Sequence, residues 1–312
     1  MPEIQRGAVA GKSVHNPGLG REGPAAWLMA APALLGLLIF MAAPFILAVG
    51  VSFTNLRLGS PLPLEITGVE QYRRILGDAG FQRALLNNAL FAVVAVPLQT
   101  GLALSLALLL NRSLRGVGLL RAVFFMPVVF PMSLVAVVWM LIYAPGPDGM
   151  MNGLLDFISL GAWQPRDFLH DPVWAMPAII LLSVWQGVGF QMVILLAGLQ
   201  GIPEELYQAA AIDGAGRWHR FRHVTLPQLR NPLIFVTLVT VILAFRLFDQ
   251  VQIMTQGGPN NATTTVMLEA VRAVFDRQQV ARASAMTVVF FVIVLVITWL
   301  QRRLARQERE IE

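Results

Sequence analysis

Cysteine is absent from this 312-residue sequence, and charged residues make up only 13% of it. The absence of cysteine excludes disulfide bonds and thiolate metal sites. The shortage of charge excludes an ordinary water-facing surface, because soluble globular domains carry about 25% charged residues. Hydrophobic residues instead make up 56% of the chain, and its mean hydropathy is +0.65. The composition therefore predicts an integral membrane protein.

Six apolar runs are long enough to cross a bilayer, which takes about 20 helical residues. They cover residues 25–56, 84–111, 122–147, 172–203, 231–254 and 283–301. Arg246 and Asp249, both in the fifth run, are the only charged residues within them. We predict an all-α integral membrane fold with six transmembrane helices. The first run is longer than the apolar core of a cleaved signal peptide, so we expect a retained helix.

Basic residues flank these runs. The net charge is +5, yet every Lys and Arg except Arg246 lies outside the runs, which favours lipid headgroups rather than nucleic acid as the partner. Fourteen belong to the loops on the side of the two termini: Arg6, Lys12, Arg21, Arg112, Arg115, Arg121, Arg217, Arg220, Arg222, Arg230, Arg302, Arg303, Arg306 and Arg309. Eight belong to the other side: Arg57, Arg73, Arg74, Arg83, Arg166, Arg272, Arg277 and Arg282. Because cytoplasmic loops are enriched in Lys and Arg, we predict that both termini are cytoplasmic.

The predicted helices divide the chain into four segments. Residues 1–24 are predicted to be a cytoplasmic tail, 25–82 the first transmembrane helix and an outer loop, 83–304 a core of five helices, and 305–312 a second cytoplasmic tail. Pro97, Pro127, Pro131 and Pro177 lie inside predicted spans. There proline removes a backbone donor, so we expect kinked helices.

The segment between the fourth and fifth spans is predicted to be a helical hairpin in the cytoplasm. Pro203 suits the first turn of a helix, and Glu204 and Glu205 favour its positive end. Alanines 209–211 continue this helix and Asp213-Gly214 ends it, after which residues 217–225 form a second short helix. The alanines leave a smooth surface, and we expect Tyr207 and Phe221 to be exposed anchors. Such a surface favours the docking of another protein.

The spacing of this segment closely resembles the signature loop of binding-protein-dependent ABC transporter permeases. The matching residues are Gln208, Ala209, Ala210, Asp213, Gly214, Ala215, Val224, Leu226 and Pro227. The resemblance implies that the segment is a coupling helix that contacts a separate ATPase. The implied coupling residues are Glu204, Glu205, Tyr207, Gln208, Ala209, Ala210, Asp213, Gly214, Ala215, Leu226 and Pro227. Gln208 departs from the family, which usually has an acidic residue there.

A second set of residues is similar to sugar-importer permeases of the maltose and glycerol-3-phosphate type. It comprises Phe248-Asp249, the Met-Thr-Gln-Gly-Gly-Pro stretch at 254–259, and residues 66–72. This likeness extends over residues 25–304. It implies half of an import pathway in a bacterial-type cytoplasmic membrane, with a second permease subunit in a heterodimer, an ATPase dimer and an extracytoplasmic solute-binding protein as partners. It also implies that this chain is not an enzyme and binds no cofactor, since ATP-Mg belongs to the ATPase.

Polar residues inside the fourth and fifth spans are candidates for the substrate pathway, because they are costly in lipid. Amides can bond sugar hydroxyls, and aromatic rings can pack on sugar faces. The candidates are Ser183, Gln186, Phe190, Phe245, Arg246, Phe248, Asp249 and Gln250. On a continuous helix Arg246, Asp249 and Gln250 would share one face. Two alternatives remain: an Arg246–Asp249 pair near the outer surface, and hydrogen bonds that only join helices.

Three other functions are alternatives. An ABC importer for a non-sugar solute has the same hairpin. An ion-coupled secondary transporter offers no reason for a coupling loop, and no inverted half is visible. An intramembrane enzyme needs catalytic groups, but His219 and His223 lie in a loop and no His-Glu-x-x-His pattern occurs.

Overall fold

The computed structural model describes residues 22–112 and 116–307. The predicted tails fall almost wholly outside these ranges, as does Arg115. Across the described residues the chain is helical, without a β-strand, which confirms the all-α prediction. The helices are α1 (Glu22–Leu37), α2 (Ala43–Val51), α3 (Glu70–Leu76), α4 (Ala79–Leu110), α5 (Val117–Val129), α6 (Met132–Ile142), α7 (Met150–Ile158), α8 (Ala175–Gln200), α9 (Glu204–Ile212), α10 (Arg217–Arg220), α11 (Leu226–Gln228), α12 (Arg230–Phe245), α13 (Asp249–Met254), α14 (Val266–Phe275) and α15 (Val280–Gln307).

The first transmembrane helix belongs to a unit of its own, residues 1–50, which is separate from the unit formed by 51–312. One π-helical turn, Leu38–Ala42, joins α1 to α2 without ending the helix. The helical segment Ala26–Val51 is long and apolar enough to span a membrane. The first predicted span is therefore confirmed as a helix.

Four more helical segments in the second unit could each span a membrane: Ala79–Leu110, Ala175–Gln200, Arg230–Met254 and Val280–Arg303. The most buried of them is Ala175–Gln200, which is α8. Near its end Leu195 and Leu199 pack with Ala107 of α4 and Leu229. Burial on most faces suits a central helix, so α8 is placed to present polar side chains to the interior.

Gly189 lets α8 approach α5 closely. A Cβ built on Gly189 would clash with the backbone carbonyl of Phe124 in α5. Small residues at such crossings allow helix backbones to come together in membranes, where packing rather than hydrophobicity drives association. Gly189 therefore fixes α5 against α8.

The third predicted span is not one continuous helix. Helices α5 and α6 meet at a bend of 101°, which confirms the expectation of a kinked helix in this span. Phe130 between them has ψ of 139°, an extended conformation. Pro131 is the cause, because its ring disfavours a helical conformation in the residue before it. The span is a bent pair.

The fifth predicted span is also interrupted. Helix α12 ends at Phe245, and Arg246, Leu247 and Phe248 leave the helical path before α13 begins at Asp249. Phe248 has φ of −144° and ψ of −62°. The expectation that Arg246, Asp249 and Gln250 share a face of one continuous helix is therefore wrong, and their arrangement depends on the break.

The loop after α13 is fastened to the start of α4. The side-chain amide of Asn87 donates to the carbonyl oxygens of Asn261 and Thr264, each at 2.9 Å. Asn88 accepts from the backbone N–H of Val266 at 3.0 Å. Because both asparagines are buried, these bonds replace water for backbone groups that would otherwise be unsatisfied. This end of the bundle lies opposite the α9–α11 end.

Candidate functional site

The predicted hairpin, residues 203–227, is present as two short helical arms. Helix α9 begins at Glu204, with Pro203 as its N-cap and two glutamates in its first turn. The second arm continues from α10 through a π-helical turn, Phe221–Thr225, into α11. The local interpretation of the sequence is thus confirmed, although the π-turn was not foreseen.

Gly214 ends the first arm in a left-handed conformation with φ of +78°. Its N–H donates to the carbonyl of Ala211 at 3.0 Å, and the N–H of Ala215 donates to the carbonyl of Ala210 at 2.9 Å. This pair of bonds is a Schellman motif, which satisfies the last carbonyls of a helix. The turn depends on glycine because other residues rarely adopt this φ.

Tyr207 braces the two arms. Its hydroxyl lies 3.0 Å from the hydroxyl of Thr225, and Thr225 is buried. Tyr207 and Phe221 are each only partly exposed, so the expectation that they are exposed anchors is wrong. The most exposed large apolar side chains of the hairpin are Ile212 and Trp218, at 87% and 71%. Sequence reasoning missed both, since apolar residues in a short helix usually face inward.

A concave surface lies between the arms. The cavity has a volume of about 450 Å³ and is lined by Ala210, Asp213, Gly214, Ala215, Gly216, His219, Arg220, His223 and Val224. The rings of His219 and His223 stack with their centroids 4.0 Å apart. Among the described residues no cluster of three or more potential ligands could hold a metal. The hairpin thus presents a hollow lined by small residues and by polar side chains.

Inside the bundle, five of the eight residues predicted for the pathway line one cavity of about 290 Å³. They are Ser183, Gln186, Arg246, Asp249 and Gln250. The break between α12 and α13 brings the last three to the cavity wall. Helix α8 supplies the first two.

The three predicted aromatic residues do not line this cavity. Phe245 is buried in the main core against Phe290, with ring centroids 5.8 Å apart. Phe248 packs against the same core, and Phe190 is 39% exposed. Apolar packing explains the rings of Phe245 and Phe248 without a ligand.

Hydrogen bonds fix part of the cavity wall. Gln250 donates to the hydroxyl of Ser183 at 3.1 Å, and Ser183 donates to the carbonyl of Ile179 at 2.7 Å. The alternative in which polar groups join helices therefore holds for Ser183 and Gln250. Gln186 makes no such bond within the described part of the chain.

Arg246 and Asp249 both line the cavity and are both exposed. No ion pair joins them among the described residues. The alternative of a direct pair is therefore wrong for this structure. One positive and one negative group face the same space, so the charged side chains lining the cavity sum to zero.

Sequence reasoning missed other lining residues, notably Gln99, Gly187 and Thr240. Gln99 lies within an apolar run, and the rule that selected Gln186 would also have selected it. Gly187 carries no such signal. Thr240 bonds Gln191 and the carbonyl of Val236, so its polarity is used within the protein.

Four features together define a helical membrane transport protein: apolar spans, a central helix, a polar cavity at a break in a transmembrane segment, and an exposed hairpin. Residues 99–310 match the family of binding-protein-dependent transport system inner membrane components. The chain belongs to this family, and it is an integral inner-membrane transport subunit.

Curated relatives match over nearly the whole chain. The trehalose/maltose transport system permease protein MalF of Thermococcus litoralis is 34% identical, covering 93% of this chain and 96% of the relative. The lactose transport system permease protein LacF of Rhizobium radiobacter is 33% identical, covering 91% and 94%. A bacterial alginate ABC transporter, solved with a pentasaccharide-bound periplasmic protein, shares the fold with a TM-score of 0.79 at 20% identity, covering 93% and 98%.

Proposed function

We propose that this chain forms half of the import pathway for a neutral carbohydrate in a bacterial-type cytoplasmic membrane. A second permease subunit completes the pathway as a heterodimer. A solute-binding protein delivers the sugar from outside, and a dimer of ATPase subunits hydrolyses ATP-Mg. This chain supplies no catalytic group.

The lining of the cavity is the main support for this proposal. Its polar wall presents the amides of Gln99, Gln186 and Gln250, which can both donate to and accept from sugar hydroxyls. Arg246 and Asp249 offset each other in charge, which suits a neutral solute. A volume of about 290 Å³ lies at the low end of small-molecule sites, as expected if the second subunit provides the other wall.

The relatives support the same substrate class. Those named above are permeases for trehalose/maltose and for lactose, and a further relative in Streptomyces coelicolor, at 34% identity, is a diacetylchitobiose permease. All four of these sugars are disaccharides rich in hydroxyl groups. Their agreement favours a disaccharide here.

The hairpin is the proposed contact with the ATPase. The small residues Ala209, Ala210 and Gly214 allow a close approach, while Ile212 and Trp218 offer apolar area for burial. Gln208 is exposed and neutral, so it would contribute a hydrogen bond rather than an ion pair. This role requires the hairpin and both termini to be cytoplasmic, as the distribution of Lys and Arg favours.

Uptake by the reconstituted complex tests the proposal. Proteoliposomes containing both permease subunits and the ATPase, with the binding protein added, should accumulate labelled trehalose, maltose or lactose only when ATP-Mg reaches the ATPase. Glycine betaine, which lacks hydroxyl groups, is the matched negative solute. Accumulation of betaine without any of the sugars would overturn the carbohydrate assignment.

An anionic sugar is the second candidate, because Arg246 faces the cavity without an ion pair to Asp249. Uptake of a disaccharide uronate in place of the neutral sugars would select it. In that case Arg246→Gln should abolish transport of the uronate, whereas under the neutral assignment it should leave sugar selectivity unchanged.

A further inference from the structure

Gln99 of α4 differs from the other polar residues on the cavity wall. It is 9% exposed and lines the cavity, yet among the described residues neither its amide oxygen nor its amide nitrogen has a hydrogen-bond partner. Ser183, Thr240 and Gln250 have protein partners instead. Gln186 has none either, but it is less buried than Gln99.

The amide atoms of Gln99 are not among the side-chain atoms shut off from solvent, so they reach the cavity, where water or a ligand must supply the hydrogen bonds that the protein does not. The Gln99 side chain borders an open cavity, where a solute can supply the missing bonds. A primary amide has two donors and one acceptor with two lone pairs. A sugar hydroxyl, which both donates and accepts, matches this set better than a carboxylate or an ammonium group does.

Gly187 of α8 lies directly across from this amide. A Cβ built on Gly187 would clash with the amide nitrogen of Gln99, and it would lie 3.1 Å from Cδ and 3.4 Å from Oε1. The backbone does not require glycine here, since Gly187 lies within a regular helix without a positive φ. Glycine inside a helix is less stable than alanine. The missing side chain therefore makes room for the amide.

We propose that Gln99 contacts the substrate and sets its specificity through one hydroxyl group, and that Gly187 keeps the space in which this contact forms. Gly187 is thus a positioning residue. The inference rests on the proposed function, because it assumes a polyhydroxylated solute in this cavity. It adds a residue from α4 to the candidates on α8 and at the α12–α13 break.

Uptake of monodeoxy sugars tests the contact. The probe is whichever of maltose, trehalose and lactose the wild-type complex imports, compared with monodeoxy analogues of that sugar at saturating loaded binding protein. The wild type should import one analogue about tenfold more slowly than the parent sugar, as expected for one lost hydrogen bond in a buried site. Gln99→Leu should slow uptake of the parent sugar by a similar factor, so that the variant imports the parent sugar and that analogue at the same rate.

Gln191→Leu is the matched control, because Gln191 is also a buried glutamine on a membrane helix, but its amide nitrogen donates to Thr240 and its side chain does not line the cavity. Gln191→Leu should lower the amount of assembled complex without changing the relative uptake rates of the parent sugar and its analogues. Gly187→Ala should reproduce the loss of discrimination, and in a Gln99→Ala background it should have no further effect, since the opposing amide is gone.

The outcomes separate the two proposals. If the wild type imports none of the three sugars, the proposed function fails and this inference fails with it. If the wild type imports a sugar but Gln99→Leu keeps the same rate and the same discrimination, only the inference fails. A uniform loss for every analogue, with discrimination intact, assigns Gln99 a structural role and also overturns it.

Discussion

Gly214→Ala is expected to weaken the association of this subunit with the ATPase by about 5- to 30-fold. Gly214 has φ of +78°, where an L-residue with a side chain costs about 1–2 kcal/mol, and each 1.4 kcal/mol is tenfold in an equilibrium. Nothing lies within 4 Å of a Cβ built at this position. The whole effect should therefore come from the backbone of the hairpin turn.

Two further variants distinguish an effect of backbone conformation from a steric effect of the added side chain. Gly214→Asn should bind nearly as well as the wild type, because asparagine tolerates the left-handed conformation. Gly216→Ala is the matched control, since Gly216 is also in open space but has φ of −69°. Co-purification of the ATPase at graded concentrations measures the affinity. Wild-type affinity for Gly214→Ala, or equal losses for alanine and asparagine, would refute the backbone argument.

Three further predictions concern the Tyr207–Thr225 hydrogen bond, the loop bonded by Asn87, and Asp78 at the start of α4. Tyr207→Phe should reduce ATPase-coupled uptake about 2- to 10-fold, because it removes a bond to buried Thr225 worth about 0.5–1.5 kcal/mol; in the Thr225→Val background the same change should have a smaller effect, and equal effects would contradict the brace. Asn87→Leu should destabilise the detergent-solubilised protein by about 1–3 kcal/mol, because it removes two hydrogen bonds and leaves the buried carbonyl of Thr264 without a donor, while the carbonyl of Asn261 still accepts from the Thr264 N–H; an unchanged unfolding temperature would rule this out. Burial raises the pKa of Asp78, but bonds from the Phe81 N–H and from Arg282 at 2.8 Å lower it more, so the pKa lies below its usual value. A lowered pKa stabilises the folded state above the unfolded-state pKa, so unfolding temperature should fall below about pH 4, and less so in Asp78→Asn; identical pH profiles would exclude the contribution.

Hydrophobic runs were sufficient to predict the helical membrane fold, because length and hydropathy alone determine whether a segment can span a bilayer. They could not predict how the third and fifth spans break. Pro131 signalled a kink, but the 101° bend also requires neighbours to pack around it. The break at Arg246–Phe248 has no proline, and its only signal was a pair of charges within an apolar run.

The hairpin was predictable because its signals are local: Pro203, the alanine run and Gly214 each act within a few residues. The cavity was predictable only in part. Gln186 and Gln250 could be selected as intramembrane polar residues, whereas the closeness of Gln99 to Gly187 depends on how α4 packs against α8. The predicted aromatic contacts failed because tertiary packing, not helix position, buries Phe245.

Site-specific labelling tests the central claim most directly. Because the sequence contains no cysteine, an introduced cysteine is the only thiol of this chain that the reagent can label. Gln208→Cys places a thiol on the exposed hairpin, and Leu62→Cys places one on the exposed loop between α2 and α3. A membrane-impermeant maleimide should label Gln208→Cys only in inside-out vesicles and Leu62→Cys only in right-side-out ones. Labelling of Gln208→Cys from outside intact cells would place the hairpin beyond the reach of any cytoplasmic ATPase and contradict the account.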